Sequence, residues 1–180
     1  MSPDPVLIRR YEDRDGGAVR DLFVRVNREL APSGLREAFE VYIELSLREE
    51  IGRIPAYYGA GLGRGFWVAE GEGGALLGMF GLEPAGEGAA ELRRMYVAPE
   101  ARRGGVARAM LAEAERLCAE AGLRRLVLST SELQGAALAL YRSAGYRLVR
   151  EEVAGAATVR TVGAGLRRFH LEKVLAGGAG

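Results

Sequence analysis

The sequence predicts an α/β fold: a mixed, mostly antiparallel sheet of six or seven strands, one pair of them parallel, with helices on both faces. Three observations carry this. Two segments near the N-terminus have helical apolar spacing, short β-prone runs alternate with glycine-rich turns over 66–97, and a strand–loop–helix–strand succession fills 91–130. A helix between two strands lets them lie parallel through a right-handed crossover, whereas tight turns make antiparallel neighbours.

In chain order, VLIRRY at 6–11 is an opening strand, and Val19, Leu22, Phe23 and Val26 mark one face of a helix within 13–30. A second helix is expected over 35–54, where Leu35, Phe39, Tyr42, Ile43 and Leu47 recur at helical spacing and Pro55 lies just beyond. FWVAE at 66–70 and ALLGMFGL at 75–82, separated by GEGG, read as a hairpin. ELRRMYV at 91–97 is a strand ended by Ala98-Pro99. Val106, Met110, Leu111, Ala114, Leu117, Cys118 and Ala121 then trace a helical stripe with Gly122 as its terminator. RRLVLST at 124–130 is the strand parallel to 91–97; a helix follows at about 134–144, and YRLVREE and RRFHLEKVL are closing strands joined by the Gly/Ala-rich stretch 154–165.

At 180 residues the chain is expected to form one domain over 1–180, ordered over about 6–175, with AGGAG at 176–180 a frayed tail. A formal net charge of +1 gives no bulk attraction for nucleic acid or for an acidic membrane. No apolar run approaches the ~20 residues of a membrane span, and the N-terminus is too polar and acidic for a signal peptide. Cys118 is the only cysteine and Lys173 the only lysine, which excludes an internal disulfide and a cysteine metal cluster, and argues against Schiff-base and P-loop chemistry. The expected compartment is the cytoplasm, with no metal.

ARRGGVARAM at 101–110 places two arginines and two glycines before a helix. Such a loop is either a polar connection or an anion cradle, in which free backbone N–H groups and the helix dipole hold a diphosphate and Arg102, Arg103 or Arg108 adds charge. The chain contains neither G-x-x-x-x-G-K-[ST] nor G-x-G-x-x-G, so the common nucleotide loops are absent.

The residues here resemble a known family. Arg102-Arg103-Gly104-Gly105-Val106-Ala107 is similar to the [RQ]-x-x-G-x-[GA] pyrophosphate loop of the GNAT acyltransferases, and MYVAPE before it is typical of that superfamily. Gln134 to Tyr146, QGAALALYRSAGY, resembles its second motif, N-x-x-A-x-x-L-Y-x-x-x-G-[FY], with Gln134 where Asn is usual. The resemblance implies a GNAT-like sheet whose parallel pair splays to admit a pantetheine arm, with acetyl-CoA as co-substrate. It implies cofactor contacts at Met95, Val97, Arg102, Arg103, Gly104, Gly105, Val106, Ala107, Arg108 and Gln134. Tyr141 matches the family tyrosine beside the coenzyme A sulfur, which makes it the expected general acid. Its place on the stripe Ala137, Leu140, Tyr141 and Ala144 also suits a packed core aromatic.

Glu91, near the start of the cofactor strand, is the candidate base, with Glu70, Glu83 or a water relay as alternatives. Cys118 reads as core, His170 as a partly exposed structural histidine, and Trp67 as core or pocket wall. The stretch containing Ile54, Tyr58, a glycine-rich loop and FWVAE is similar to the camello-like branch, whose members carry a membrane-anchoring segment of a kind not found here. That resemblance implies N-acetylation of a small primary amine, either an amino acid or an amino-acid conjugate, by direct transfer. A peptide N-terminus and a non-catalytic acyl-CoA sensor are the alternatives, and a homodimer is possible by family analogy.

Overall fold

A computed structural model describes residues 6–176. The leader 1–5 and most of the expected tail, 177–180, lie outside the described residues. Seven strands form one sheet in the order β1-β2-β3-β4-β5-β7-β6. They are β1 (Leu7–Arg10), β2 (Gly65–Glu70), β3 (Leu76–Pro84), β4 (Ala89–Val97), β5 (Arg125–Ser131), β6 (Arg147–Val153) and β7 (Arg167–Val174). Every neighbouring pair is antiparallel except β4 and β5, which run parallel on either side of a helical crossover.

The helices divide between the two faces. On one face, α4 (Val106–Glu120) and α5 (Gly135–Ser143) cover Trp67, Phe80, Leu92, Leu126, Leu128 and Leu171. The expected stripe on α4 is the contact surface: Val106, Met110, Leu111, Ala114 and Cys118 are all buried, and burial pushes the Cys118 thiol up to about 11. Trp67 stacks on Phe80, with ring centroids 5.4 Å apart. On the other face, α1 (Gly16–Leu30), α2 (Arg36–Glu49) and α3 (Ile54–Tyr58) pack on Phe66, Val68 and Met79, with Val19, Phe23, Tyr42 and Ile43 turned inward.

One expected helix is two. Where the spacing predicts a continuous helix over 35–54, α2 stops at Glu49, Glu50 leaves the helical region (φ −137°, ψ −68°), and a 3-10 turn over Ile51–Arg53 leads into α3. Pro55 belongs to the first turn of α3, where its missing N–H costs nothing, and does not follow a helix end. Gly52 permits the turn, because a Cβ there would sit 2.4 Å from the Leu47 carbonyl oxygen.

The break turns the Glu50 carboxylate into the interior, where its side chain has no solvent exposure. Arg94 Nη2 donates to it at 2.6 Å and Arg93 Nη2 at 2.7 Å, and the Tyr58 hydroxyl donates to its other oxygen. Burial alone would raise this carboxyl; the hydrogen bond and charge of Arg94, with the charge of Arg93, outweigh it and hold Glu50 below the ordinary carboxylate value.

Glu50→Gln keeps the shape and removes the charge, leaving two guanidinium groups without their shared partner. Urea unfolding at pH 7 is expected to show a loss of about 3–5 kcal/mol. A group with a depressed folded pKa stabilises the fold fully above its unfolded value, here 4.5, and loses that contribution as the pH falls below it. The gap between wild type and variant is therefore expected to narrow below about pH 4.5, and an equal gap at pH 7 and pH 3.5 would refute the assignment.

Candidate active site

β4 carries one extra residue against β3: the register runs Gly81↔Arg93 and then Met79↔Tyr96. This bulge places Arg94 in the left-handed region (φ 54°), a strained conformation for a non-glycine residue, at a cost of about 1–3 kcal/mol. The side chain of Arg94 is what holds it there. Besides Glu50, it donates to the Tyr42 hydroxyl at 2.6 Å, Ser46 Oγ at 3.3 Å and the Val159 carbonyl at 2.6 Å.

The bulge opens the sheet. Parallel pairing of β4 with β5 ends at Leu92↔Leu128, while β5 continues beside β7 to Ser131↔Arg168. Ala98 N–H donates to Leu77 O on the β3 side at 2.8 Å. By strand alternation, Met95 and Val97 therefore turn their N–H and C=O groups away from β3 and into the gap. Their side chains pack with the α4 core. A cleft at this gap is lined by residues of both sheet faces, among them Glu91, Met95, Gln134 and Tyr141.

On the α1–α3 face the cleft is ionic. Glu91 lies opposite Glu83 across β4 and β3, and Arg160, from the 154–165 loop, forms ion pairs with both. Glu83 also accepts from Arg93 Nη1 at 3.0 Å. The loop bearing Arg160 is fastened from below, since Arg93 and Arg94 both donate to the Val159 carbonyl. Arg168 donates to Ser129 Oγ on the same face.

On the α4/α5 face, Tyr141 is buried against Tyr146, and its hydroxyl has no hydrogen-bond partner among the described residues although the ring lines the cleft. Burial raises its hydroxyl above the ordinary tyrosine value. Gln134 precedes α5 and turns its Oε1 back to accept from Thr130 Oγ1 at 3.1 Å and the Ser131 N–H at 3.3 Å. Its carbonyl oxygen therefore belongs to the end of β5, which leaves the amide nitrogen for any ligand.

The loop before α4 alternates backbone hand: Arg103 (φ 64°) and Gly105 (φ 81°) are left-handed. The N–H groups of Arg103, Gly104, Gly105, Val106, Ala107 and Arg108 have no backbone acceptor among the described residues, the first helical bond being Ala109 N–H to Gly105 O at 2.9 Å. That is a nest of donors at the positive end of a 15-residue helix, a geometry that suits an anion. Arg102 is tied to Glu29 of α1 at 2.6 Å, and Arg108 approaches Ser143 Oγ at 3.5 Å. Arg103 has no side-chain partner among the described residues.

Several expectations are sharpened. Glu70 lies beside β1, where Arg9 holds its carboxylate at 2.6 Å, away from the cleft; Glu83 is in the cleft network beside Glu91. His170 is half-buried against Glu152 at 2.7 Å. Tyr58 and Ile54 are buried core, and Tyr58 serves Glu50. Sequence reasoning did not single out Glu50, Arg93, Arg94, Arg160 or Arg168. Glu50 left a signal, because Phe39, Tyr42, Ile43, Ser46 and Glu50 fall on one helical face, which puts a carboxylate on an apolar side.

Comparison with known proteins gives the family. The acetyltransferase (GNAT) family model matches residues 30–146. The rat protein N-acetyltransferase family 8 member 3 is 35% identical over 118 residues, covering 63% of this chain and 51% of the relative, so the chain spans about half the length of the curated relative it matches. The crystal structure of a putative phosphinothricin N-acetyltransferase superposes with a TM-score of 0.71 at 20% identity, covering 96% of this chain and 99% of that one. The Escherichia coli ribosomal-protein-S18-alanine N-acetyltransferase superposes with a TM-score of 0.65 at 18% identity, covering 98% and 97%. With its split parallel pair, its donor-lined loop and a matched family model over most of its length, this chain belongs to the GNAT family of acetyltransferases.

Proposed function

We propose that this chain is an acetyl-CoA-dependent N-acetyltransferase that moves an acetyl group directly to a primary amine of an amino acid or amino-acid conjugate in a ternary complex. The observation that carries the reading is the split between β4 and β5, a passage through the sheet with Tyr141 on one side and Glu91 on the other. The residues fit the co-substrate. The donor nest over 103–108, with Arg102, Arg103 and Arg108 around it, suits a diphosphate, and the outward backbone groups of Met95 and Val97 suit an extended amide-bearing arm. When bound, acetyl-CoA supplies an acyl group already activated as a thioester.

Transfer then needs a neutral amine, a polarised carbonyl and a protected leaving sulfur. In this reading Glu91 takes the amine proton. Because Arg160 already holds one of its oxygens, the proton reaches Glu91 through a water or after Arg160 swings aside. Tyr141, kept protonated by its burial, donates to the departing sulfur. As a weaker acid than the thiol it serves, which titrates near ~8.5, it stabilises the developing thiolate chiefly as a hydrogen-bond donor. We further propose one domain over 1–180, action in the cytoplasm without a metal, and a homodimer. A peptide N-terminus as acceptor and a non-catalytic acyl-CoA sensor are the competing readings; what favours the sensor is Arg160 closing Glu91.

Release of free thiol from acetyl-CoA, measured across amino acids, cysteine conjugates, polyamines and short peptides, tests this. Turnover on one acceptor class is expected, with Tyr141→Phe lowering kcat about 100-fold and Glu91→Gln lowering it at least 10-fold. Acetyl-CoA binding with no turnover on any acceptor would favour the sensor.

The loop has a separate readout. Gly105→Val puts a β-branched residue at φ 81° and is expected to raise KM for acetyl-CoA about 10-fold or more, with KM for the acceptor little changed. An unchanged KM for acetyl-CoA would remove the diphosphate from this loop.

A further inference from the structure

The charges around the cleft do not balance. Glu50, Glu83 and Glu91 stand against Arg93, Arg94 and Arg160, and each of the six has an opposite partner within 3.0 Å. Arg168 is the exception. Its side chain is 11% exposed, it donates to the neutral Ser129 Oγ, and the carboxylate it reaches, Glu152, is 3.5 Å away. That carboxylate is engaged at shorter range by His170 at 2.7 Å and Arg150 at 3.1 Å. Burial accordingly lowers the Arg168 guanidinium from its ordinary value, in spite of the raising fields of Glu152, Tyr42 and Glu91. A buried cation normally has a counter-charge; here the chain leaves part of it to be supplied.

Its position says by what. Arg168 lies opposite Ser131, at the level where β4 has parted from β5, and its side chain lines the cleft on the face that bears Glu91. A guanidinium fixed by one hydroxyl, with donors to spare, matches the planar two-oxygen geometry of a carboxylate. We propose that Arg168 binds the carboxylate of the acceptor, so that the enzyme selects amines carrying a free carboxylate, and that Ser129 positions the guanidinium for it. This rests on the proposed acetyl transfer and names how its acceptor is chosen. A peptide N-terminus, whose neighbouring carboxyl is an amide, lacks the matching group, as does a simple alkylamine.

The test compares acceptors that differ only in the carboxylate: L-phenylalanine, L-methionine and L-leucine, their amides, and the matching decarboxylated amines. Wild type is expected to favour the free amino acids by at least 10-fold in kcat/KM. Arg168→Met is expected to lose about 10- to 100-fold on the amino acids through KM, the range of a hydrogen-bonded charge. The same variant leaves the amides and amines within about two-fold and KM for acetyl-CoA unchanged. Arg168→Lys restores part of the loss, and Ser129→Ala gives a smaller rise in KM for the same acceptors. Equal wild-type rates on acids and amides, or an equal loss by Arg168→Met on all three series, would overturn the proposal.

If acetyl-CoA binds and nothing turns over, the transferase reading fails on its own. Arg168 is then tested by thermal shift with the same amino acids and amides: stabilisation by the acids alone, absent in Arg168→Met, supports the site. No difference between acids and amides overturns it.

Discussion

A single buried carboxylate organises the cleft. Glu50 has no solvent exposure and binds two adjacent arginines of one strand. Adjacent residues of a regular strand point to opposite faces, so Arg93 and Arg94 can meet one partner only if the strand is irregular between them and their neighbours. The bulge is that irregularity, and the left-handed backbone of Arg94 is its cost. From it follows the early end of β4–β5 pairing, and from that the passage through the sheet. The same two arginines then donate to Val159 and hold the 154–165 loop over the opening. The interaction that bends the strand also roofs the cleft.

The passage gives the two halves of the proposed reaction different surroundings. The α4/α5 side is apolar around Tyr141 and leads to a loop whose backbone donors suit a diphosphate. The α1–α3 side is crowded with paired charges and hydroxyls. In the proposed reaction a long amide-bearing co-substrate and a small charged acceptor would use these two sides as separate routes to one point, so that neither need leave before the other enters. This layout supports the proposed direct transfer in a ternary complex, which needs no covalent intermediate on the protein.

Much of the fold was legible because its signals are local. Helical spacing on α1 and α4, the glycine turns of the β2–β3 hairpin and the terminator Gly122 each report on a few neighbouring residues; Leu123 N–H closes α4 on Cys118 O at 3.0 Å as such a terminator requires. The arginine–glycine loop was legible for the same reason. The charged half of the cleft was not, because its decisive partners are distant in the chain, Arg93 and Glu50 by 43 residues and Arg160 and Glu91 by 69. The Gly/Ala-rich stretch 154–165 gave no sign that it would deliver Arg160 to the site. The helix expected to run to residue 54 ends at Glu49, and the break brings Glu50 to two guanidinium groups that lie far from it in the sequence.

Glu83 and Glu91 show how tightly the charged side of the cleft is set. Two carboxylates directly opposite on neighbouring strands repel one another, and each is largely withdrawn from solvent, with 14% and 19% of its side chain exposed. A cation between them is a structural necessity, and Arg160 is that cation. A substrate ammonium approaching Glu91 therefore competes with a guanidinium already in place, whereas a neutral amine does not. In the proposed reaction this arrangement favours the unprotonated amine, the form that attacks the thioester. With the ammonium disfavoured on this side, the carboxylate is the charge by which the proposed amino-acid acceptor would be held, and Arg168 is the cleft arginine whose own carboxylate partner stands farthest away.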